Sequence, residues 1–234
     1  MAGGGRRPGG NQPIPRPHAW RPGGPAPWAG LVGAGELSVD AVVARVATAS
    51  ATAGTAVAPL PDVRRTAVLV ALRQGSAGAE VLLTRRALHL RSHRGEISFP
   101  GGRLEPGESP TDAALREADE EVALDQDAVQ VAGELGHLST MVTRSHIVPV
   151  VGRVAGAPEL RANPDEVERV LWVPLAELAG EDTYTEEWWG TPPLDRPMFF
   201  FHLDDETVWG ATARVLHELL SVAFGVLGPP PPSW

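Results

Sequence analysis

Residues Gly101–Leu124 read GGRLEPGESPTDAALREADEEVAL, and this stretch decides the fold. Pro100-Gly101-Gly102 ends a short extended run, and a Gly-bearing loop follows. Pro110 suits a first helical turn, so a helix is predicted from there to about Val122. Between Leu104 and Asp127 lie nine carboxylates and one arginine. Glu117, Glu120 and Glu121 stand at i, i+3 and i+4, so they project from one helix face, whereas Asp119 points away and is expected to be solvated. Solvated anions so placed repel by about a few tenths of a kcal/mol per pair, and by more where water is excluded. A divalent cation removes that penalty, and hard oxygen donors suit Mg²⁺ or Mn²⁺. On spacing alone, an ordinary charged helix face is the simpler reading. Three neighbours favour the cation: the glycine loop, which can bring carbonyl oxygens close, Arg116, and Glu108 in the loop.

Working outward, Ser38 is an N-cap candidate for a helix over about 39–50. Thr66–Leu72 and Glu80–Thr84 are β-branched apolar runs around the turn-rich break Arg73–Gly78. Ile97–Phe99 reads as a short strand. Ala128–Leu135, Ile147–Val154 and Val167–Val173 are further strands, the last leading into a short helix near Leu175–Ala179. Met198–Leu203 and Thr207–Trp209 form an expected hairpin turning at Asp204-Asp205, and a helix over about 211–224 follows. Strands and helices are mixed without regular alternation. The expected class is α+β, an α/β/α sandwich on a mixed sheet.

Charge and composition restrict the function. All 29 acidic residues follow Gly30, and the body from Leu31 carries 16 arginines against them. Such a surface is a poor partner for nucleic acid. With no cysteine there is no disulfide, thiolate metal site or cysteine nucleophile. No apolar run reaches the length of a spanning helix, and no apolar segment follows the N-terminal charges, so neither membrane association nor a secretory signal is expected. A cytoplasmic location follows as an expectation. Half of residues 1–30 are Gly or Pro. That composition predicts a disordered tail, followed by one domain over 31–228 and a Pro-rich tail at 229–234.

Counted from Gly102, the central stretch is G-x5-E-x7-R-E-A-x-E-E-x-A-L. It resembles the Nudix hydrolase box, G-x5-E-x7-R-E-U-x-E-E-x-G-U, where U is aliphatic. Gly102, Glu108, Arg116, Glu117, Glu120, Glu121 and Leu124 match. Ala118 is a minimal aliphatic residue, and Ala123 replaces a glycine that the family places after the helix. Left-handed backbone there makes alanine unfavourable by about 1 kcal/mol.

The resemblance implies metal-dependent hydrolysis of a nucleoside diphosphate linked to another group. It implies Glu117 and Glu121 as metal ligands, Glu120 as a ligand directly or through water, and Gly102 as a carbonyl donor. Arg116 and Glu108 are implied to tie loop to helix. A further carboxylate usually comes from a later loop, and Glu166 is the candidate. The general base stays open among Glu120, Glu121 and Glu166.

Upstream, Leu82–Gly102 reads LLTRRALHLRSHRGEISFPGG. It is similar to the element L-L-T-x-R-x-x-x-L-R-x-H-x-G-x-x-x-F-P-G-G of the coenzyme A diphosphatase branch. That resemblance implies coenzyme A or an acyl derivative as substrate, with phosphopantetheine and adenosine 3′,5′-bisphosphate as products. Arg85, Arg86, Arg91 and His93 are the phosphate-binding candidates, because guanidinium groups suit phosphate oxygens. Each singly also fits a surface ion pair. Thr143 and Ser145 are weaker substrate contacts. ADP-ribose or NADH as substrate, or a Nudix-shaped binding module without turnover, are the competing readings. Monomer and homodimer stay open.

Overall fold

The computed structural model describes residues 7–31, 37–52, 63–140 and 144–226. In chain order these contain β1 (Trp20–Pro22), α1 (Val39–Thr52), β2 (Arg64–Gly75), β3 (Gly78–Arg86), β4 (Ile97–Ser98), β5 (Gly101–Arg103) and α2 (Pro110–Val122). After these come β6 (Val129–Glu134), β7 (Leu138–Thr140), β8 (Ser145–Val154), β9 (Val167–Pro174) and α3 (Leu175–Leu178). Last are β10 (Tyr184–Trp189), β11 (Arg196–His202), β12 (Thr207–Val208) and α4 (Gly210–Phe224).

The larger sheet runs β4-β3-β2-β8-β6, with β5 also on β2, β7 on β8 and β9 on β3. Only β2 and β8 pair in parallel, so the sheet is mixed. Its two faces bury different side chains, as the period of a strand requires. From β2, Ala67, Leu69 and Ala71 face Ala113, Ala114, Ala118 and Val122 of α2. Val70 and Leu72 face the other way, into a larger core with Val42 and Val46 of α1 and Leu216, Leu219 and Leu220 of α4. This is the expected α/β/α arrangement. The small residues on α2 let the helix lie close to the sheet, which sets the depth of its acidic face.

The expected elements are present, with bounds that shift by a few residues. The hairpin arms β2 and β3 run into the predicted break and leave only Ser76-Ala77 between Gly75 and Gly78. Strand β10 was not expected. It lies at the centre of a second, four-stranded antiparallel sheet in the order β1-β10-β11-β12.

The disordered-tail expectation is corrected for residues 7–30. Trp20, Arg21 and Pro22 pair with Trp189, Trp188 and Glu187 of β10. Trp28 is fully buried, donates from Nε1 to the Ala179 carbonyl at 3.2 Å, and packs edge-on against Tyr184 at 5.2 Å. Arg16 pairs with Glu187 at 2.5 Å, and Arg7 with Glu177 at 2.5 Å. Composition failed here because the arm needs no core of its own. It borrows one from the body, and burying an indole contributes about 4 kcal/mol toward ordering it. The expected C-terminal tail, Pro229–Trp234, and Thr143 lie outside the described residues.

Candidate active site

The site is built where β5 turns through the Leu104–Ser109 loop into α2. Gly101 (φ 158°) lies so close to β2 that a Cβ would stand 2.4 Å from the Ala67 carbonyl oxygen. A Cβ on Gly102 would stand 2.3 Å from Glu117 Oε1. Glycine at this second position therefore lets the loop backbone touch a helix carboxylate. Ser109 caps the helix by accepting from the Asp112 N–H at 3.2 Å, with Pro110 in the first turn. At the other end Ala123 sits in left-handed backbone (φ 56°, ψ 38°), and its N–H donates to the Asp119 carbonyl at 2.8 Å. The conformation the missing glycine would favour is thus kept by alanine.

Arg116 holds the loop to the helix. Its Nε and Nη2 donate to the two carboxylate oxygens of Glu108 at 2.9 and 3.1 Å, and Nη2 also donates to the Arg103 carbonyl at 3.1 Å. Its Nη1 reaches Glu117 at 3.0 Å and Glu120 at 3.2 Å. The fork on Glu108 raises the Arg116 pKa, and the same hydrogen bonds lower that of Glu108.

Glu121 is different. It is 2% exposed, and no guanidinium comes within ion-pair distance among the described residues. Burial pushes its carboxyl up to about 8, the Arg86 charge opposes this, and Glu166 and Glu117 add to it. Glu117 is also raised, first by burial, with Arg116 opposing and Glu120 and Glu166 contributing. Three acids therefore share one field: two from α2 and Glu166, the residue before β9.

The chain path explains how Glu166 arrives there. The Asn163 N–H donates to the Glu121 carbonyl at 2.8 Å, and the Arg161 N–H to the Val122 carbonyl at 2.9 Å. Asn163 in turn accepts from the Glu166 N–H at 3.0 Å, and Ala87 at the end of β3 donates to the Glu166 carbonyl at 2.8 Å. Asn163 is a positioning residue that reading the sequence missed. Its only signal was the turn-forming Asn-Pro-Asp ahead of Glu166.

The acids suit a hard divalent cation by their chemistry, since buried carboxylates of raised pKa are stabilised by an added positive charge. As placed, no three Asp, Glu or His groups among the described residues converge closely enough to ligate one ion. Arg116 holds both Glu117 and Glu120 in ion pairs.

The upstream basic residues do not act as one cluster. Successive strand residues face opposite ways, so of Arg85 and Arg86 only Arg86 reaches the field of Glu121. Arg85 pairs with Glu206 at 3.3 Å and Glu168 at 3.7 Å, near the second sheet. Glu206 is 1% exposed, so the pair is a structural one. His93 is engaged by Glu96, Nδ1 to Oε2 at 2.8 Å, which raises its pKa. Arg91 is exposed on the loop after β3. Ser145 opens β8, in register with Arg64, and its N–H donates to Thr140 Oγ1 at 3.2 Å.

The NUDIX domain family matches residues 63–193, more than half the chain. A Nudix hydrolase 3 of Caenorhabditis elegans is 34% identical over 174 residues, 66% of this chain and 71% of its own length. An uncharacterized Nudix hydrolase NudL of Photorhabdus laumondii is 36% identical over 141 residues, 59% of this chain and 74% of its own. Among solved structures, a MutT/nudix family protein from Enterococcus faecalis is 17% identical, covers 74% of this chain and 71% of that one, and has a TM-score of 0.48. The family model, matching more than half of the chain, and the curated relatives show that the chain belongs to the Nudix hydrolase family. It is a hydrolase of nucleoside diphosphate derivatives. No helix among the described residues is long and apolar enough to cross a membrane.

Proposed function

We propose that this hydrolase cleaves the diphosphate of coenzyme A or an acyl-coenzyme A with Mg²⁺ or Mn²⁺, releasing a phosphopantetheine and adenosine 3′,5′-bisphosphate. The observation that supports the catalytic part is the buried Glu121 on the box helix, which has no guanidinium within ion-pair distance among the described residues and shares its field with Glu117 and Glu166. The coenzyme A part rests on the Leu82–Gly102 element. Glu117, Glu121 and the Gly102 carbonyl would hold the cation, with Glu120 directly or through water. Once bound, the cation neutralises phosphate charge and makes the attacking water more acidic. Glu166, Glu120 or Glu121 takes the proton from that water. Arg86 beside Glu121 orients a phosphate oxygen, and Arg116 and Glu108 keep the loop in place. The reading places the enzyme in the cytoplasm, in keeping with a chain that has no cysteine.

A hydrolysis panel of coenzyme A, acetyl-coenzyme A, ADP-ribose and NADH, each with Mg²⁺ and with Mn²⁺, tests this. The expected outcome is preference for the coenzyme A pair with the two stated products. Turnover of ADP-ribose or NADH orders of magnitude faster than coenzyme A sinks the substrate assignment. No turnover of any compound sinks the catalytic one.

A further inference from the structure

A cleft of about 520 Å³ opens beside the box loop, lined by Arg64, Arg65, Arg103 and the loop residues Leu104–Glu108. Its three arginines come from two strands. Arg64 and Arg65 begin β2, and Arg103 ends β5 opposite Thr66. All three are exposed, and none meets a carboxylate among the described residues. Elsewhere Arg7, Arg16, Arg21, Arg73, Arg153 and Arg169 each pair with one. Two acids also line the cleft. Glu108 is already forked by Arg116, which leaves Glu105 as the acid without a guanidinium partner. The cleft is therefore a net positive pocket in a negative body.

The cleft is fixed relative to the site. Arg103 follows Gly102, whose Cα faces the Glu117 carboxylate, and the Arg103 carbonyl accepts from Arg116 at 3.1 Å. The Leu104 N–H donates to the Arg65 carbonyl at 3.1 Å, which locks β2 to the loop. The cleft and the acids of α2 are thus joined through the β5–α2 loop.

We infer that Arg64, Arg65 and Arg103 bind a phosphomonoester carried by the nucleotide half of the substrate, one ribose away from the diphosphate. This deepens the proposed function and rests on it. Arginines from two strands lining one cleft suit a phosphate dianion better than a single carboxylate. It also moves the 3′-phosphate of coenzyme A off Arg85 and His93, whose charges are already met by Glu206 and Glu96.

Two measurements on the full chain test it. The first compares kcat/KM for coenzyme A and 3′-dephospho-coenzyme A in the wild type and in the double variant Arg64→Ser, Arg65→Ser. The wild type should prefer coenzyme A by at least tenfold, and the ratio should fall to about one in the variant. The second is calorimetric binding of adenosine 3′,5′-bisphosphate, AMP and inorganic phosphate to chelated protein, with circular dichroism to confirm the fold. The bisphosphate should bind at least tenfold more tightly than AMP or phosphate alone, and Arg103→Ser should remove most of that difference. Coenzyme A turnover without preference for the 3′-phosphate overturns the inference and leaves the function standing. So does equal weakening of AMP and the bisphosphate. Turnover of ADP-ribose with none of coenzyme A overturns both.

Discussion

The N-terminal arm and the box loop are both rich in Gly and Pro, and both dock onto the body, yet they handle charge in opposite ways. The arm brings arginines to acids: Arg7 to Glu177 and Asp182, Arg16 to Glu187, Arg21 to Asp195. Its anchor is apolar, the buried Trp28. The box loop and helix crowd acids around a single arginine, and Arg116 reaches Glu108, Glu117 and Glu120 but not Glu121. One region neutralises the body and stabilises it. The other leaves one buried carboxyl, Glu121, without a guanidinium partner among the described residues. The difference separates a structural interface from a site, because uncompensated burial of a carboxylate is unfavourable and persists where a ligand offsets it.

The largest expected effect comes from removing the unmatched charge. Under the proposed function, Glu121→Gln lowers kcat by on the order of 10⁴-fold, about 5 kcal/mol of barrier. The folded state should remain intact, because glutamine keeps the shape and relieves the repulsion. Turnover within tenfold of wild type would erase the distinction between the two regions.

Next in size is the arm. Trp28→Ala should destabilise the protein by roughly 3–5 kcal/mol in denaturant unfolding, as for other buried indoles. Removal of residues 1–31 should likewise lower the melting temperature. Unchanged stability in both would return the arm to the status of a tail.

The pH dependence sharpens the comparison from the side of the acids. Burial raises Glu121 from 4.5 to about 8. A group raised on folding contributes stability that is complete below its unfolded pKa and is lost as pH rises through the folded one. Chelated protein should therefore lose on the order of 3 kcal/mol between pH 4.5 and 8, and Glu121→Gln should flatten that slope. Melting curves in chelator across this range report it, and equal slopes would contradict the assignment. Divalent cation should stabilise the wild type most at the upper end.

The smallest effect lies at the helix end. Ala123→Gly should stabilise the fold by about 1 kcal/mol, since Ala123 sits at φ 56°. Turnover should not change.

The helix beginning at Pro110 and the grouping of Glu117 with Glu121 were legible because each depends on spacing along one element, whereas the left-handed turn at Ala123 came from the family resemblance. The Arg116–Glu108 link was legible only through the family resemblance. The ion pairs of Arg85 were not legible, because adjacent strand residues face opposite ways and no local signal says which of Arg85 and Arg86 lies near Glu121. The role of Asn163 depends on backbone contacts with Glu121 across 42 positions, which no local pattern encodes. The arm was misread because composition weighs a segment by its own apolar content. Trp28 finds its partners at Ala179, Tyr184 and Phe224, far away in the chain.

The central claim is that the acids of α2 and Glu166 form a divalent-cation site. Mn²⁺ binding to the full chain, followed by electron paramagnetic resonance in the absence of nucleotide, tests it most directly. The account predicts saturable binding of at least one ion per chain and at least thirtyfold weaker binding in Glu121→Gln. Equal affinity in the two proteins would contradict it.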